Sequence, residues 1–197
     1  MKKKHIIVLT IALLLVAGWL WRYVTMNAYF DSLVTLEKET YQIGDIVPFE
    51  DDLGEGEGNL RGYSLRVDNF EVQDFDAYVE SIAFEPDEYY TPGERVVLLY
   101  ITLLNEDSNA DGVMLTDFQL RGVDTIIYLD WDLLTAANPV LGGNYGIKLS
   151  PGTEYSIVLP YKLQEEFFGS WTWNHFENYN LYFRVTVHPT EKIIEVQ

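Results

Sequence analysis

The sequence predicts an all-β fold, an antiparallel β-sandwich that follows a single N-terminal transmembrane helix. Three observations predict it. An uncharged apolar run comes directly after three lysines at the N-terminus. The remaining chain contains roughly eight or nine short segments rich in Val, Ile, Thr, Tyr, Phe and Trp, the residue types that suit a pleated sheet. Turn residues separate these segments and no long helical pattern lies among them, which favours a sandwich and leaves a closed barrel as the alternative.

The apolar run from Ile6 to Trp21 predicts the transmembrane helix. It contains no charge, and Thr10 is its polar residue. Apolar character resumes after Arg22, whose side chain can reach the lipid headgroups from a helix end. Crossing a bilayer core takes about 20 residues, and we assign residues 6–26 to a signal anchor. Its late Trp and Tyr residues suit the aromatic belt of a membrane interface.

The lysines before the apolar run predict the orientation of the chain. By the positive-inside rule, residues 1–5 form a cytoplasmic region and the chain beyond the anchor is extracellular. A cleaved signal peptide would begin in the same way, but "AGWLWR" is a poor cleavage site and "TMNA", residues 25–28, is only a weak one. A lipid anchor on cysteine is excluded because the chain has no cysteine. We therefore expect a single-pass protein of the cell membrane, and the pattern is typical of a Gram-positive surface.

The chain after the anchor is strongly acidic. Residues 27–39 have helix-compatible spacing and are assigned to a juxtamembrane stalk, and residues 40–197 to the extracytoplasmic domain. All 31 acidic residues follow Asn27, whereas four of the 13 basic residues precede it, which leaves a net charge of −22. This charge excludes nucleic-acid binding, because neutralising phosphates takes Lys and Arg. It favours solubility, or attraction of cations and basic partners.

The extracytoplasmic strands follow one another with turn residues between them. The predicted strands are Tyr63–Val67, Ala77–Phe84, Arg95–Leu104, Val113–Leu120, Thr125–Leu129, Tyr145–Leu149, Thr153–Tyr161, Tyr179–His188 and Lys192–Val196. "RVVLLYITLLN" is apolar on both faces, which is typical of a central, covered strand. The predicted core contains Val97, Leu99, Ile101, Leu103, Ile157, Leu159, Phe183 and Val185.

Several phrases together carry a family resemblance: "YQIGDIVPF", "GYSLRVDNFEVQDFDAYVE", "ERVVLLYITLLNED", "GTEYSIVLPY" and "YNLYFRVTVHPTEKIIEV". In this order, behind an N-terminal anchor, they resemble a domain-of-unknown-function family of Gram-positive surface proteins. They are also similar to immunoglobulin-like extracytoplasmic domains. The resemblance covers residues 41–196. It implies an immunoglobulin-like sandwich and supplies no catalytic residue.

Two motifs are candidate binding sites. "DSNADG" places Asp107, Asn109 and Asp111 at the spacing of a calcium loop, with glycine at the turn. Position twelve of that loop is Phe118, where a bidentate Glu is needed, and a polar hairpin loop is the alternative. "SWTWNHF" places Trp171 and Trp173 on one side of a strand, if it is a strand. Outward tryptophans could stack on sugar rings, whereas inward ones would fill the core.

The sequence predicts binding rather than catalysis. In "YLDWDLL", Asp130 and Asp132 would share a strand face, but two such carboxylates are readily both solvent-facing. The extracytoplasmic chain has no Cys and only His175 and His188, and no nucleophile, phosphate or zinc motif occurs. We expect no enzyme activity and no cofactor, calcium aside. The predicted function is a membrane-anchored extracytoplasmic binding or interaction protein with a protein or glycan partner. The alternatives are a glycan- or cell-wall-binding module that uses the two tryptophans, and an accessory subunit of a membrane complex.

Overall fold

The computed structural model describes residues 3–34, 37–52, 60–85, 88, 90–107 and 112–197. The chain divides into an N-terminal helical unit and a second compact unit, Glu37–Gln197, which is mainly β-structure with short helices. The helices are α1 (Lys3–Val34), α2 (Phe75–Ser81), α3 (Trp131–Ala137) and α4 (Gly169–Asn174).

The N-terminal helix α1 contains the predicted anchor and most of the predicted stalk. Its leucines and alanines are strong helix formers, and it runs for 32 residues. In its middle the apolar side chains are exposed, including Leu13, Leu15 and Trp21, and the Trp19 ring stacks on that of Tyr23 at 5.6 Å. Among the residues whose side chains the structure describes, no stretch of helix has the length and hydropathy that crossing a membrane requires.

A four-stranded antiparallel sheet has the order β2 (Ile46–Pro48), β3 (Tyr63–Asp74), β4 (Arg95–Asn105), β9 (Thr153–Leu163). Strand β4 lies between two neighbours, as its sequence predicts. One face of β4 sends Leu99 and Ile101 into the main core. Its other face sends Val96 and Leu98 into a smaller cluster with Phe75 of α2 and Leu133 of α3. Helices therefore cover the outer face of this sheet, which is why β4 is apolar on both sides.

A five-stranded sheet has the order β1 (Glu37–Gln42), β11 (Thr190–Glu195), β10 (Tyr182–Arg184), β6 (Gln119–Arg121), β7 (Ile126–Ile127). Its first pair, β1 and β11, is parallel and the other pairs are antiparallel. Strands β5 (Val113–Met114) and β8 (Gly146–Ile147) form a separate two-stranded ladder.

One hydrophobic core takes side chains from both sheets. All eight predicted core residues belong to it, and none is more than 3% exposed. The prediction succeeds because alternate positions of a strand point to the same face, so the apolar positions identify the buried one.

Some predicted strands are absent, interrupted or shorter than predicted. The segment Ala77–Phe84 falls on α2, because the Asp74 side chain accepts a hydrogen bond from the Ala77 amide and so caps a helix. A 3-10 turn at Leu115–Asp117 divides Val113–Leu120. Within the predicted strand Tyr179–His188, only the three residues of β10 form a strand.

Candidate functional site

The two tryptophans of "SWTWNHF" lie on helix α4 and not on a strand, so the prediction that they share one face is wrong. Residues two apart on a helix are separated by about 200° of rotation. Trp171 is accordingly 75% exposed, whereas Trp173 is 7% exposed. The structure therefore places the two predicted ligand-binding residues in different environments.

Trp173 is held by an arginine that sequence reasoning missed. The guanidinium of Arg95, at the start of β4, lies 4.3 Å from the centre of the Trp173 ring. Its Nη1 also donates a hydrogen bond of 3.0 Å to the Trp173 carbonyl oxygen. A cation over an indole face is an attractive arrangement that strengthens on burial. The sequence signal that could have indicated this contact is a charged residue, Arg95, at the start of a mainly apolar strand.

The Arg95–Trp173 stack forms part of a cleft of about 750 Å³. The cleft lies where β3 ends and β4 begins, beside α2 and α4. Its walls are residues 72–76, residues 93–95, Trp173, Phe176, Glu177 and Gln197. Gly93 permits this geometry, because a side chain there would collide with the Lys162 side chain of β9.

The cleft is acidic. Four carboxylates line it, those of Asp74, Asp76, Glu94 and Glu177, against the single guanidinium of Arg95. Two of them accept backbone hydrogen bonds: Asp74 from the Ala77 amide at 3.0 Å and Glu94 from the Glu165 amide at 3.3 Å. Asp76 and Glu177 are exposed at the surface of the cleft. The arrangement can attract and hold a cationic group.

Trp171 is a separate, exposed aromatic surface. Its ring stacks on that of His175 with the centroids 4.8 Å apart and 22° between the planes. The His175 Nδ1 lies 2.9 Å from the Trp171 carbonyl oxygen, which holds the imidazole in place. One face of the indole is therefore covered by the imidazole, and the other face is the part that a planar ligand could use.

The calcium prediction falls largely on residues that the structure leaves undescribed. Asn109 and Asp111 lie outside the described residues. Asp107 is exposed and lines a second cleft, of about 850 Å³, together with Glu50, Asp51, Asp52 and Glu106. Within the described ranges, no three His, Asp or Glu side chains are grouped closely enough to hold a metal ion. The calcium site stays a prediction.

The two aspartates of "YLDWDLL" do not share a strand face, so that prediction is wrong. Asp130 is the N-cap of α3, and its Oδ1 accepts a hydrogen bond from the Leu133 amide at 3.0 Å. Its Oδ2 accepts one from the Tyr90 hydroxyl at 2.9 Å and lies 3.2 Å from the Lys162 Nζ. Burial, with the Asp130 charge beside it, raises the pKa of the Tyr90 hydroxyl well above its usual value. Asp130 therefore joins α3 to β9 and to the loop residue Tyr90, whereas Asp132 is exposed.

Comparison with known proteins gives a family match. The family described as domain of unknown function DUF5028 matches residues 38–192, which is more than half of the chain and includes the cleft apart from Gln197. No curated protein and no solved structure matches the chain. The matched range contains the four-stranded sheet, the helices α2, α3 and α4, and most of the five-stranded sheet, whose strand β11 continues to Glu195. On this match, the chain belongs to the DUF5028 family.

Proposed function

We propose that this protein is a membrane-anchored, extracytoplasmic binding protein whose cleft receives a cationic segment of a protein partner. The observation that carries the proposal is the cleft between α2 and α4. It combines exposed carboxylates of Asp76 and Glu177 with apolar walls from Val72 and Phe176. Lysine and arginine side chains suit such a surface, because their alkyl stems contact apolar groups while their charges meet carboxylates.

The net charge of the domain supports a basic partner. The chain after Asn27 carries 31 acidic residues against nine basic ones. A surface of one dominant charge raises the rate at which an oppositely charged partner arrives, and the effect falls with ionic strength. The shape of the cleft and its carboxylates would then determine which of the attracted partners bind.

The proposed fold is an immunoglobulin-like sandwich. Successive strands move between the two sheets: β4 and β9 lie in one, and β6, β10 and β11 in the other. Strand β1 adds to the edge of the second sheet in parallel with the last strand. This crossing of strands between two sheets supports the proposed fold, because Greek-key connections between sheets are typical of immunoglobulin-like domains.

The proposed anchor is the apolar part of α1, with the domain outside the cell of a Gram-positive bacterium. Its support is the uncharged run Ile6–Trp21 after three lysines, in a chain whose helix extends over Lys3–Val34. Exposed apolar side chains in water are unfavourable, and a bilayer would cover those of Leu13, Leu15 and Trp21.

A second candidate function is glycan binding through Trp171. Its 75% exposure favours a stacking surface. A glycan site that uses both tryptophans has less support, because Trp173 is 7% exposed and the Arg95 guanidinium lies over its ring. A single aromatic platform is what remains for a sugar or cell-wall ligand.

The cleft can be tested with a short lysine-rich peptide, titrated into the full chain in detergent and followed by calorimetry. The variant Asp76→Asn with Glu177→Gln removes two cleft charges. The variant Glu37→Gln with Glu154→Gln removes two charges elsewhere and is the matched control. Each exposed ion pair contributes up to about 1 kcal/mol, so we expect about tenfold weaker binding for the cleft variant alone.

Equal weakening in both double variants would contradict the proposal, because it would show diffuse attraction to an acidic surface. The same experiment also tests the glycan-binding function. Saturable binding of a soluble cell-wall glycan fragment that Trp171→Ala abolishes, with no peptide binding in the cleft, would replace the first function by the second.

A further inference from the structure

Lys192 is a charged residue in the buried middle of strand β11. Its side chain is 0% exposed, and its neighbours Ile193 and Ile194 are buried. Removing an ammonium group from water costs several kcal/mol unless close partners compensate. Its position therefore depends on the groups that surround the Nζ atom.

Two carboxylates and one carbonyl surround the Lys192 Nζ. The Asp52 Oδ2 and the Glu50 Oε2 each lie 2.6 Å from it, and the Pro48 carbonyl oxygen accepts a hydrogen bond of 2.8 Å. The Asp52 side chain is 5% exposed, whereas that of Glu50 is 63% exposed. The second oxygen of Asp52, Oδ1, accepts a hydrogen bond of 3.0 Å from the Thr190 amide. A buried amine and a buried carboxyl are thus in contact, with a solvent-facing carboxylate beside them.

We propose that Lys192 and Asp52 condense to form an intramolecular isopeptide bond, with Glu50 as the proton-transfer group. The Lys192 Nζ attacks the Asp52 Cγ and forms a C–N bond. The bond between Cγ and Oδ2 breaks, and that oxygen leaves as water. Glu50 carries two protons in turn from the nitrogen to the departing Oδ2. The first leaves the ammonium and frees the lone pair that attacks, and the second leaves the nitrogen after the C–N bond has formed. An ammonium and a carboxylate become one amide and one water, so no oxidant, reductant or cofactor is needed.

The geometry supplies what this step requires. Holding the reacting groups in contact replaces an encounter in solution by an effectively unimolecular step. The Thr190 amide points at the Asp52 Oδ1, where negative charge develops when the amine adds. The product is a neutral amide, which removes two charges from a buried site. Glu50 reaches solvent, so the water released has a way out.

The protonation of Lys192 explains why a base is needed. Burial by itself lowers the pKa of the Lys192 amine, but the hydrogen bonds that the amine donates to the Asp52 and Glu50 carboxylates outweigh burial and raise the pKa above its usual value. The amine is therefore charged when the reaction begins, and a charged amine is not a nucleophile. Glu50 is the solvent-facing carboxylate in contact with it. The Glu50 backbone has φ +53, which is uncommon for a residue with a side chain.

Intact mass spectrometry of the full chain, denatured after purification in detergent, tests the bond. The expected mass is lower than the sequence mass by one water, and digestion should yield a branched peptide that joins the segments containing residues 52 and 192. Glu50→Gln keeps the size of the exposed side chain, removes its basicity, and should keep the full sequence mass. Glu191→Gln, on the same strand, is the matched control and should still lose the water. Circular dichroism checks that both variants fold.

An unchanged wild-type mass after prolonged incubation of the folded chain would overturn the proposal. A water loss that maps to another position would do the same, for example ring closure at Asp111–Gly112. A folded Glu50→Gln variant that still forms the branched peptide would remove Glu50 from the reaction.

Discussion

Leu99 shows what a single core position contributes. It lies in the middle of β4, is 0% exposed, and pairs with Phe70 of β3 and Leu159 of β9. Leu99→Ala should lower the free energy of unfolding by about 2–5 kcal/mol, because the surrounding sheets cannot close the cavity fully. Urea denaturation measures it. Val123→Ala, at a site that is 79% exposed, is the control and should change stability by less than about 0.5 kcal/mol. Similar values for the two variants would contradict the assigned core.

Tyr161 of β9 has a buried hydroxyl that we expect to lower the free energy of unfolding. The residue is 0% exposed, and its hydroxyl has no hydrogen-bond partner among the described residues. Burial raises the pKa of Tyr161 far above the ordinary 10.0. Tyr161→Phe should therefore raise the free energy of unfolding by about 1 kcal/mol near neutral pH, because an unsatisfied buried hydroxyl is removed.

The same residue gives a prediction at high pH. Since the folded pKa lies above the unfolded one, the stability linked to Tyr161 is complete below pH 10 and falls as the pH rises above it. The wild type should lose more stability than Tyr161→Phe between about pH 7 and about pH 11. Urea titrations at both values measure this difference, and Tyr128→Phe at an exposed site is the control. Parallel losses in wild type and Tyr161→Phe would show that Tyr161 is not buried as described.

The core residues were predictable because the period of a strand identifies its buried positions. The contacts of Lys192 and Arg95 were not predictable. Lys192 and Arg95 each acquire their partners from segments far away in the chain. A charged residue beside apolar strand positions usually faces solvent. Only the three-dimensional pairing brings Asp52 to one of them and Trp173 to the other.

At the scale of elements, the sequence misleads where aromatic residues form short helices. Trp, Tyr and Phe favour strands, and the segments of α2 and α4 are rich in them. The signal that could have corrected α2 and α3 is an aspartate three residues before an amide that it caps, Asp74 before Ala77 and Asp130 before Leu133. Helix α4 has no such side-chain cap, so packing around Trp173 decides its conformation.

The loop that begins at Asp107 carries a prediction about calcium. Position twelve of its motif, Phe118, is 2% exposed and packs between the rings of Phe49 and Phe183. A core residue cannot supply the missing carboxylate ligand, so we expect calorimetry to detect no saturable heat of calcium binding. A heat that magnesium cannot reproduce, lost in Asp107→Ala and kept in Asp45→Ala, would establish the loop as a site.

At the scale of the whole molecule, the anchor is the proposal on which location depends. Protein recovered from membranes should have the mass of the full chain, apart from loss of Met1 and of the one water that the proposed Lys192–Asp52 bond releases, because the end of the apolar run, "AGWLWR", is a poor cleavage site. Mass spectrometry of the N-terminal peptide measures this. A mature species that begins near residue 29 would contradict a retained anchor.

The order of the strands was beyond sequence reasoning. Periodicity identifies a strand and its buried face, but it does not name the neighbour. The parallel pairing of β1 with β11 joins the first and last strands of the domain, and nothing local in "EKETYQ" indicates it. The family match does not indicate the strand pairing either, because it gives only a range of residues.

That parallel pairing has a mechanical consequence. Six residue pairs join β1 to β11, from Glu37 with Thr190 to Gln42 with Glu195. A pull applied at residue 37 and opposed at residue 195 would slide the two strands past each other, so their hydrogen bonds would share the load and break together. Pulling residues 182 and 195 apart would instead unzip the antiparallel β10–β11 pair one bond at a time. Single-molecule stretching should therefore give a higher rupture force for the first pair of handles, and a domain tethered by its N-terminus would resist tension on its C-terminal strand.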